Sequence, residues 1–146
     1  MAGCDSKEWL SRCNFLKLGS YKQCIAVSHA HSLLKRRSVS VKDLFGQIVM
    51  MVKKGDSGTV DCIRAELERY REVKIEDTPR FYDVEVFNQC EQTGAVLLTL
   101  DCWKDVHPSL VTIPVKWDYA LPYGILYSIN YGIEVQNVVD AISALS

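Results

Sequence analysis

Ile48-Val49-Met50-Met51-Val52, followed by Gly55-Asp56-Ser57-Gly58-Thr59, is the stretch whose reading decides the fold. Five consecutive apolar, β-prone residues without polar alternation are expected of a strand covered on both faces. The Gly/Ser/Thr segment behind them turns the chain into a helix. In that helix Val60, Ile63, Leu67 and Tyr70 fall on one stripe, while Arg64, Glu66, Glu68 and Arg69 face away. Val73 to Ile75 reads as the next strand, with Pro79 at its exit. Tyr82 to Thr93 reads as a second helix, with Val84, Phe87 and Cys90 inward and Gly94 as its C-cap. Ala95 to Leu100 is another buried strand. The resulting β-α-β-α-β alternation is the one that builds a parallel sheet flanked by helices, joined by right-handed crossovers.

Working outward, Asp5 with Glu8 forms a capping pair for a short helix through Trp9 and Leu10. Gln23 to Ser28 reads as a buried strand, and His29 to Val39 as a polar, basic loop. Ser40 with Asp43 repeats the capping signal over one turn, Val41 to Phe45, ended by Gly46. On the other side, Asp101 to Ser109 is irregular, Leu110 to Val115 and Tyr123 to Ile129 are strands, and Asn130-Tyr131-Gly132 turns into a closing helix. Val135, Val138, Val139, Ile142 and Leu145 share one face of it.

The bulk properties narrow the function classes. At 146 residues the chain fits one domain or two small lobes sharing a chain, and 48% hydrophobic with 24% charged residues is globular composition. The formal net charge is −1, with only Lys35-Arg36-Arg37 and Lys53-Lys54 as basic runs, so the broad basic surface of a DNA reader is missing. Six cysteines stand at 4, 13, 24, 62, 90 and 102, none paired at the spacing of a zinc knuckle or redox dithiol. That usage suits a reducing compartment. Asp5, Lys7, Glu8 and Arg12 interrupt any leader-like apolar run, and no run reaches membrane-span length. The expected location is the cytoplasm.

No G-x-S-x-G, H-E-x-x-H, G-x-x-x-x-G-K or G-x-G-x-x-G motif occurs, and the chain reads as a non-enzyme without cofactor or metal. His29 and His31, two apart on an extended segment, could start a metal site, but a third ligand would have to come from His107 or a cysteine. Cys62 lies in the first turn of its helix, where the dipole favours a thiolate, yet its place beside Ile63 also suits a partly buried structural thiol. The Gly55–Thr59 loop joins a buried strand to a helix N-terminus. Its free N–H groups and the hydroxyls of Ser57 and Thr59 could hold an anionic or polar group, or could simply cap the helix; Asp56 would repel a carboxylate unless it points away. Phe81-Tyr82 follows one strand end and Trp103 another, and the carboxyl ends of strands are where open α/β sheets bind ligands.

The stretch Phe81-Tyr82-Asp83-Val84-Glu85-Val86-Phe87-Asn88-Gln89-Cys90, then Gly94 to Leu100, then Trp103-Lys104-Asp105-Val106-His107-Pro108-Ser109-Leu110, resembles the effector-binding domain of LysR-type transcriptional regulators. Ile113-Pro114-Val115-Lys116-Trp117-Asp118-Tyr119 and Leu121-Pro122-Tyr123-Gly124-Ile125-Leu126-Tyr127 extend the likeness. Cys24-Ile25-Ala26-Val27-Ser28-His29 resembles the family's strand ending in a His-Pro-Leu turn, although His31-Ser32-Leu33 lacks the proline. The resemblance implies an α/β, two-lobed fold like that of periplasmic binding proteins (type II), with the first lobe incomplete. Residues 1–46 and 113–146 would form lobe I and 47–112 lobe II. It further implies a sensor of a small, often anionic, effector, without the family's helix-turn-helix, so that DNA is reached only through a domain this chain does not contain. The ligand-binding wall carried over is Gly55, Asp56, Ser57, Thr59, Phe81, Tyr82, Thr99 and Trp103. An uncovered sheet edge in lobe I would favour a homodimer or higher oligomer. The alternative is a dimerisation or interaction fragment that binds no ligand. A hydrolase built on Cys62 or the histidine pair is a third reading.

Overall fold

The computed structural model describes residues 2–79 and 82–145. Its organising element is a single long strand. The strand expected at Gln23–Ser28 is the last part of β2 (Cys13–Ser28), which runs for 16 residues. Its first part pairs antiparallel with β7 (Ala120–Ser128), from Cys13 opposite Ser128 to Lys22 opposite Ala120. The short β1 (Ala2–Gly3) adds to the far edge of β7. The second part of β2 lies between β5 (Val96–Leu100) and β6 (Leu110–Pro114), antiparallel to both. β3 (Ile48–Val52) and β4 (Lys74–Thr78) continue the sheet beyond β5 in parallel, giving the order β6-β2-β5-β3-β4. The sheet is therefore mixed: the β3-β4-β5 part is parallel as the alternation implies, and β2 inserts antiparallel at its edge.

Two glycines let β2 and β7 approach. A Cβ on Gly124 would collide with the Leu16 carbonyl oxygen, inside any backbone contact distance. A Cβ on Gly19 would stand 2.6 Å from Tyr123 Oη, so the bare backbone is what admits the Tyr123 ring, which stacks on Tyr21 at 4.3 Å. The register shifts between Lys17 and Gly19, a bulge that re-aims the strand at this point. Read along the sequence, the strand begins only at Gln23, beyond Gly19. In space Gly19 is the residue that keeps the strand going under a tyrosine.

The core of the larger sheet follows its period-two alternation. Val49, Met51, Val96 and Leu98 face α2 (Gly58–Leu67), whose Val60, Ile63 and Leu67 are buried against them. Met50 and Leu97 face α3 (Val84–Thr93) through Val86, Phe87 and Cys90. Both faces are covered, as the uninterrupted apolar runs require. Gly94 closes α3 at φ +69°, and Asp83 opens it by accepting from Val86 N–H at 3.1 Å.

Several sequence expectations are corrected. Arg64 does not face away: it is buried, and its Nη2 donates to the Val52 carbonyl at 2.8 Å and to Asp77 Oδ1 at 2.6 Å. Its stem covers apolar surface while its head finds two acceptors, an outcome helical spacing alone does not reveal. Val84 is exposed at the first helical position, and Val86 takes the inward place. Cys62 is exposed rather than partly buried. Helix α1 (Lys7–Arg12) starts after Ser6 without a side-chain cap, because Asp5 is engaged elsewhere. Helix α4 (Ile133–Leu145) has the expected apolar face, but none of its described side chains is buried. The Ser40–Asp43 pair does form: the Asp43 carboxylate accepts from Ser40 N–H at 2.7 Å and from its hydroxyl at 2.9 Å, which lowers the Asp43 pKa. No described helix is long and apolar enough to cross a membrane.

Candidate functional site

A cavity of about 350 Å³ opens where β2 passes from one sheet to the other. Tyr21 and Gln23, two apart and so on one face of β2, straddle that changeover and line it. From the larger sheet come Val52 at the end of β3, Leu98 to Leu100 at the end of β5, and the Cys102–Trp103 turn behind it. Asp56 and Ser57, just before α2, and Tyr82, just before α3, add the carboxyl-end loops. The opposite side is the N-terminal segment, with Cys4, Asp5 and Trp9, and Leu121 of β7.

The loop before α2 is already capped from two directions. Ser57 Oγ accepts from Val60 N–H at 3.2 Å. The Asp5 carboxylate accepts from Thr59 N–H at 2.6 Å. Cys4 N–H donates to the Pro122 carbonyl at 3.0 Å, which pins the segment carrying Asp5 to β7. The electropositive end of α2, which the sequence offers to an anion, is thus met by a carboxylate of the same chain.

Tyr82 is held by its hydroxyl, which donates to the Leu98 carbonyl at 2.8 Å, and by an edge-to-face contact with Trp103 at 5.8 Å. Burial pushes its phenol well above the ordinary tyrosine value. Tyr21 is raised by desolvation first and then by Cys102, Tyr123 and Asp101; the Cys102 thiol is raised by desolvation and by Asp101. Thr99, on β5, is buried and forms part of the wall.

Of the residues selected from sequence, Asp56, Ser57, Tyr82, Thr99 and Trp103 come together around this cavity. Gly55 lies outside its lining, its N–H donating to the Asp61 carboxylate at 3.1 Å. Thr59 is also outside, with its N–H on Asp5 and its hydroxyl donating to the Ala120 carbonyl at 3.4 Å. Phe81 lies outside the described residues. Asp5, Trp9, Tyr21, Gln23 and Cys102 were not selected. With the strand begun at Gln23, Tyr21 falls outside it; a continuous strand puts Tyr21 and Gln23 on one face. Nothing local marks Asp5, whose spacing to Glu8 reads as a cap of its own helix.

The histidine pair has structural partners. His29 Nε2 lies 2.8 Å from the Pro108 carbonyl, and His31 Nε2 lies 3.1 Å from Gln47 Oε1 while its Nδ1 accepts from Leu33 N–H. Among the described residues no group of three His, Cys, Asp or Glu side chains is placed to hold a metal ion.

No family model and no curated protein matches the sequence. Solved structures do match. The Synechocystis PCC6803 CcmR regulatory domain in complex with 2-PG aligns with a TM-score of 0.65 at 13% identity, over 92% of this chain and 67% of that one. The effector-binding domain of QuiR in complex with shikimate aligns with a TM-score of 0.65 at 13% identity, over 91% and 64%. The fold is that of LysR-type effector-binding domains. Holo ArgBP from T. maritima aligns with a TM-score of 0.57 at 19% identity, over 95% of this chain and 57% of that one, which extends the likeness to binding proteins of the two-lobed type II class. The chain spans between 57% and 67% of the length of these three structures. In this fold β2 is a strand shared by two sheets, and the cavity sits beside the crossing.

Proposed function

We propose that this chain is the small-molecule-sensing part of a LysR-type transcriptional regulator, with its effector in the cavity beside β2. The observation that carries the reading is that the wall combines residues of both sheets and of the strand joining them. A ligand gripped there binds better when the two sides are close, and only such differential affinity shifts a conformational equilibrium. The 2-PG, shikimate and arginine bound by the similar structures are the precedent for a small-molecule ligand. On this reading 1–46 with 113–146 forms one lobe and 47–112 the other. Asp56, Ser57, Tyr82, Thr99 and Trp103, with Tyr21 and Gln23, contact the effector. The chain performs no chemistry, and DNA is reached through a helix-turn-helix domain outside it. Its six free cysteines fit the cytoplasm.

The test is calorimetry and thermal shift against a broad panel of organic acids, amino acids and amines. A binder stabilises the native state by mass action, about 2.7 kcal/mol at a hundred times its dissociation constant. Its effect should fall in Thr99→Val. Silence across the panel, with unchanged tryptophan emission, would overturn the reading.

A second reading is favoured by α4, whose Ile133, Val135 and Val138 are exposed on an amphipathic helix. Here the chain self-associates through that face and binds no effector. Sedimentation of wild type against Val138→Glu tests it: a wild-type monomer at high micromolar concentration removes the second reading.

A further inference from the structure

The cavity beside β2 contains two carboxylates, Asp5 and Asp56, and among the described residues no lysine, arginine or histidine lines it. Lys53 and Lys54 are exposed and outside the lining; Lys22 falls on the opposite face of β2 from Tyr21 and Gln23. The positive end of α2 is spoken for, by Asp5 at Thr59 N–H and by Ser57 at Val60 N–H. Among the described residues, an anion entering this space meets negative charge and finds no cation to pair with.

What the wall leaves open is of the other kind. Asp56 is partly buried, and its Oδ2 is enclosed without a hydrogen bond among the described residues. Gln23 is 4% exposed and Thr99 is 6% exposed; both residues line the cavity, and neither side chain is hydrogen-bonded to a described residue. Buried polar groups are ordinarily satisfied, and a buried carboxylate is costly until a donor or cation meets it. Around these groups stand the rings of Trp9, Tyr21, Tyr82 and Trp103, whose negative faces attract cations. Asp101 adds a further carboxylate close to Tyr21 and Cys102.

We infer that the cavity selects an organic cation carrying an apolar or aromatic body, an amidinium or ammonium compound, with Asp56 as its counter-charge and Gln23 and Thr99 as its neutral hydrogen-bond partners. This rests on the sensing role proposed above and assigns the charge class of its effector.

Three probes of one shape and different charge test it: benzamidinium, benzamide and benzoate, titrated by calorimetry and followed by tryptophan emission, since Trp9 and Trp103 line the site. Benzamidinium should bind about tenfold or more tighter than benzoate, with benzamide between them, the scale of one close charge pair. Asp56→Asn should remove about tenfold of the benzamidinium affinity and leave benzamide unchanged. Asp56 Oδ2 has no hydrogen bond to lose, so this variant keeps the fold; melting curves verify that. Benzoate binding as tightly as benzamidinium, or an Asp56→Asn variant that binds benzamidinium as the wild type does, would overturn the cation assignment while leaving the sensing role standing. Silence from all three probes would also overturn the cation assignment, while the sensing role stands or falls on the broad panel.

Discussion

The carboxylate of Asp5 accepts a hydrogen bond from the backbone N–H of Thr59 at 2.6 Å, joining positions 54 residues apart. It caps a helix that is not its own. Together with the Cys4–Pro122 backbone bond, it ties the N-terminal segment both to β7 and to the first turn of α2. Asp5→Ala should therefore cost about 1 kcal/mol, the usual loss of a capping acceptor, and Asp5→Asn less. Urea unfolding of the three proteins checks the order; equal stabilities would refute the cap.

The two glycines at the β2–β7 contact predict unequal damage. Gly124→Ala must push against the Leu16 carbonyl, which is backbone, whereas Gly19→Ala must move only the Tyr123 ring. Overpacking of this kind costs about 1–3 kcal/mol, with Gly124→Ala at the upper end. Melting temperatures of the two variants give the comparison. Gly19→Ala should also disturb the Tyr21–Tyr123 stack, visible in near-ultraviolet circular dichroism.

Arg64 joins α2 to the ends of β3 and β4 through Val52 and Asp77. The guanidinium is buried while Asp77 is largely exposed. Asp77→Ala should cost about 1–2 kcal/mol, because a buried donor loses its partner. Arg64→Met keeps the packing and leaves the Val52 carbonyl short of a donor. The double variant should lose less than the sum of the singles, by at least about 0.5 kcal/mol, in a double-mutant cycle. Strict additivity would show that the pair does not interact.

Burial lifts the thiols of Cys24 and Cys90 from 9.0 to about 11 in the folded chain. The unfolded chain gives up these protons first, so the stability they contribute is complete below pH 9 and is lost as pH rises through about 11. Denaturation midpoints should fall between pH 8 and pH 10.5 by an amount that Cys90→Ala reduces. In the native protein, alkylation should reach the exposed Cys62 first and leave Cys24 and Cys90 untouched until unfolding. Rapid native labelling of Cys90 would contradict its burial.

The α/β core was legible because its signals are local. The run Ile48–Val52 has no polar residue and Val96–Leu100 only Thr99, so both faces of those strands had to be covered, and α2 and α3 cover them. Gly94 and the Ser40–Asp43 pair were readable for the same reason, since a cap is decided within a few residues. Half of β2 was not legible: Gly19 breaks the pattern, and the ring that fills its place comes from Tyr123, far along the chain. The exposed face of α4 escaped as well, because amphipathicity records that a face is apolar and not whether anything in this chain covers it.

The candidate site divides along the same line. By itself the sequence determined that strand ends carrying Ser57, Tyr82, Thr99 and Trp103 gather at the carboxyl side of a sheet, because strand direction and loop position are set by local alternation. Only the tertiary structure decided what faces them. Asp5 and Tyr21 arrive from another part of the chain, and charge at a site depends on which side chains meet across space. That meeting turned a helix end open to anions into a cavity walled by carboxylates, amide, hydroxyl and rings.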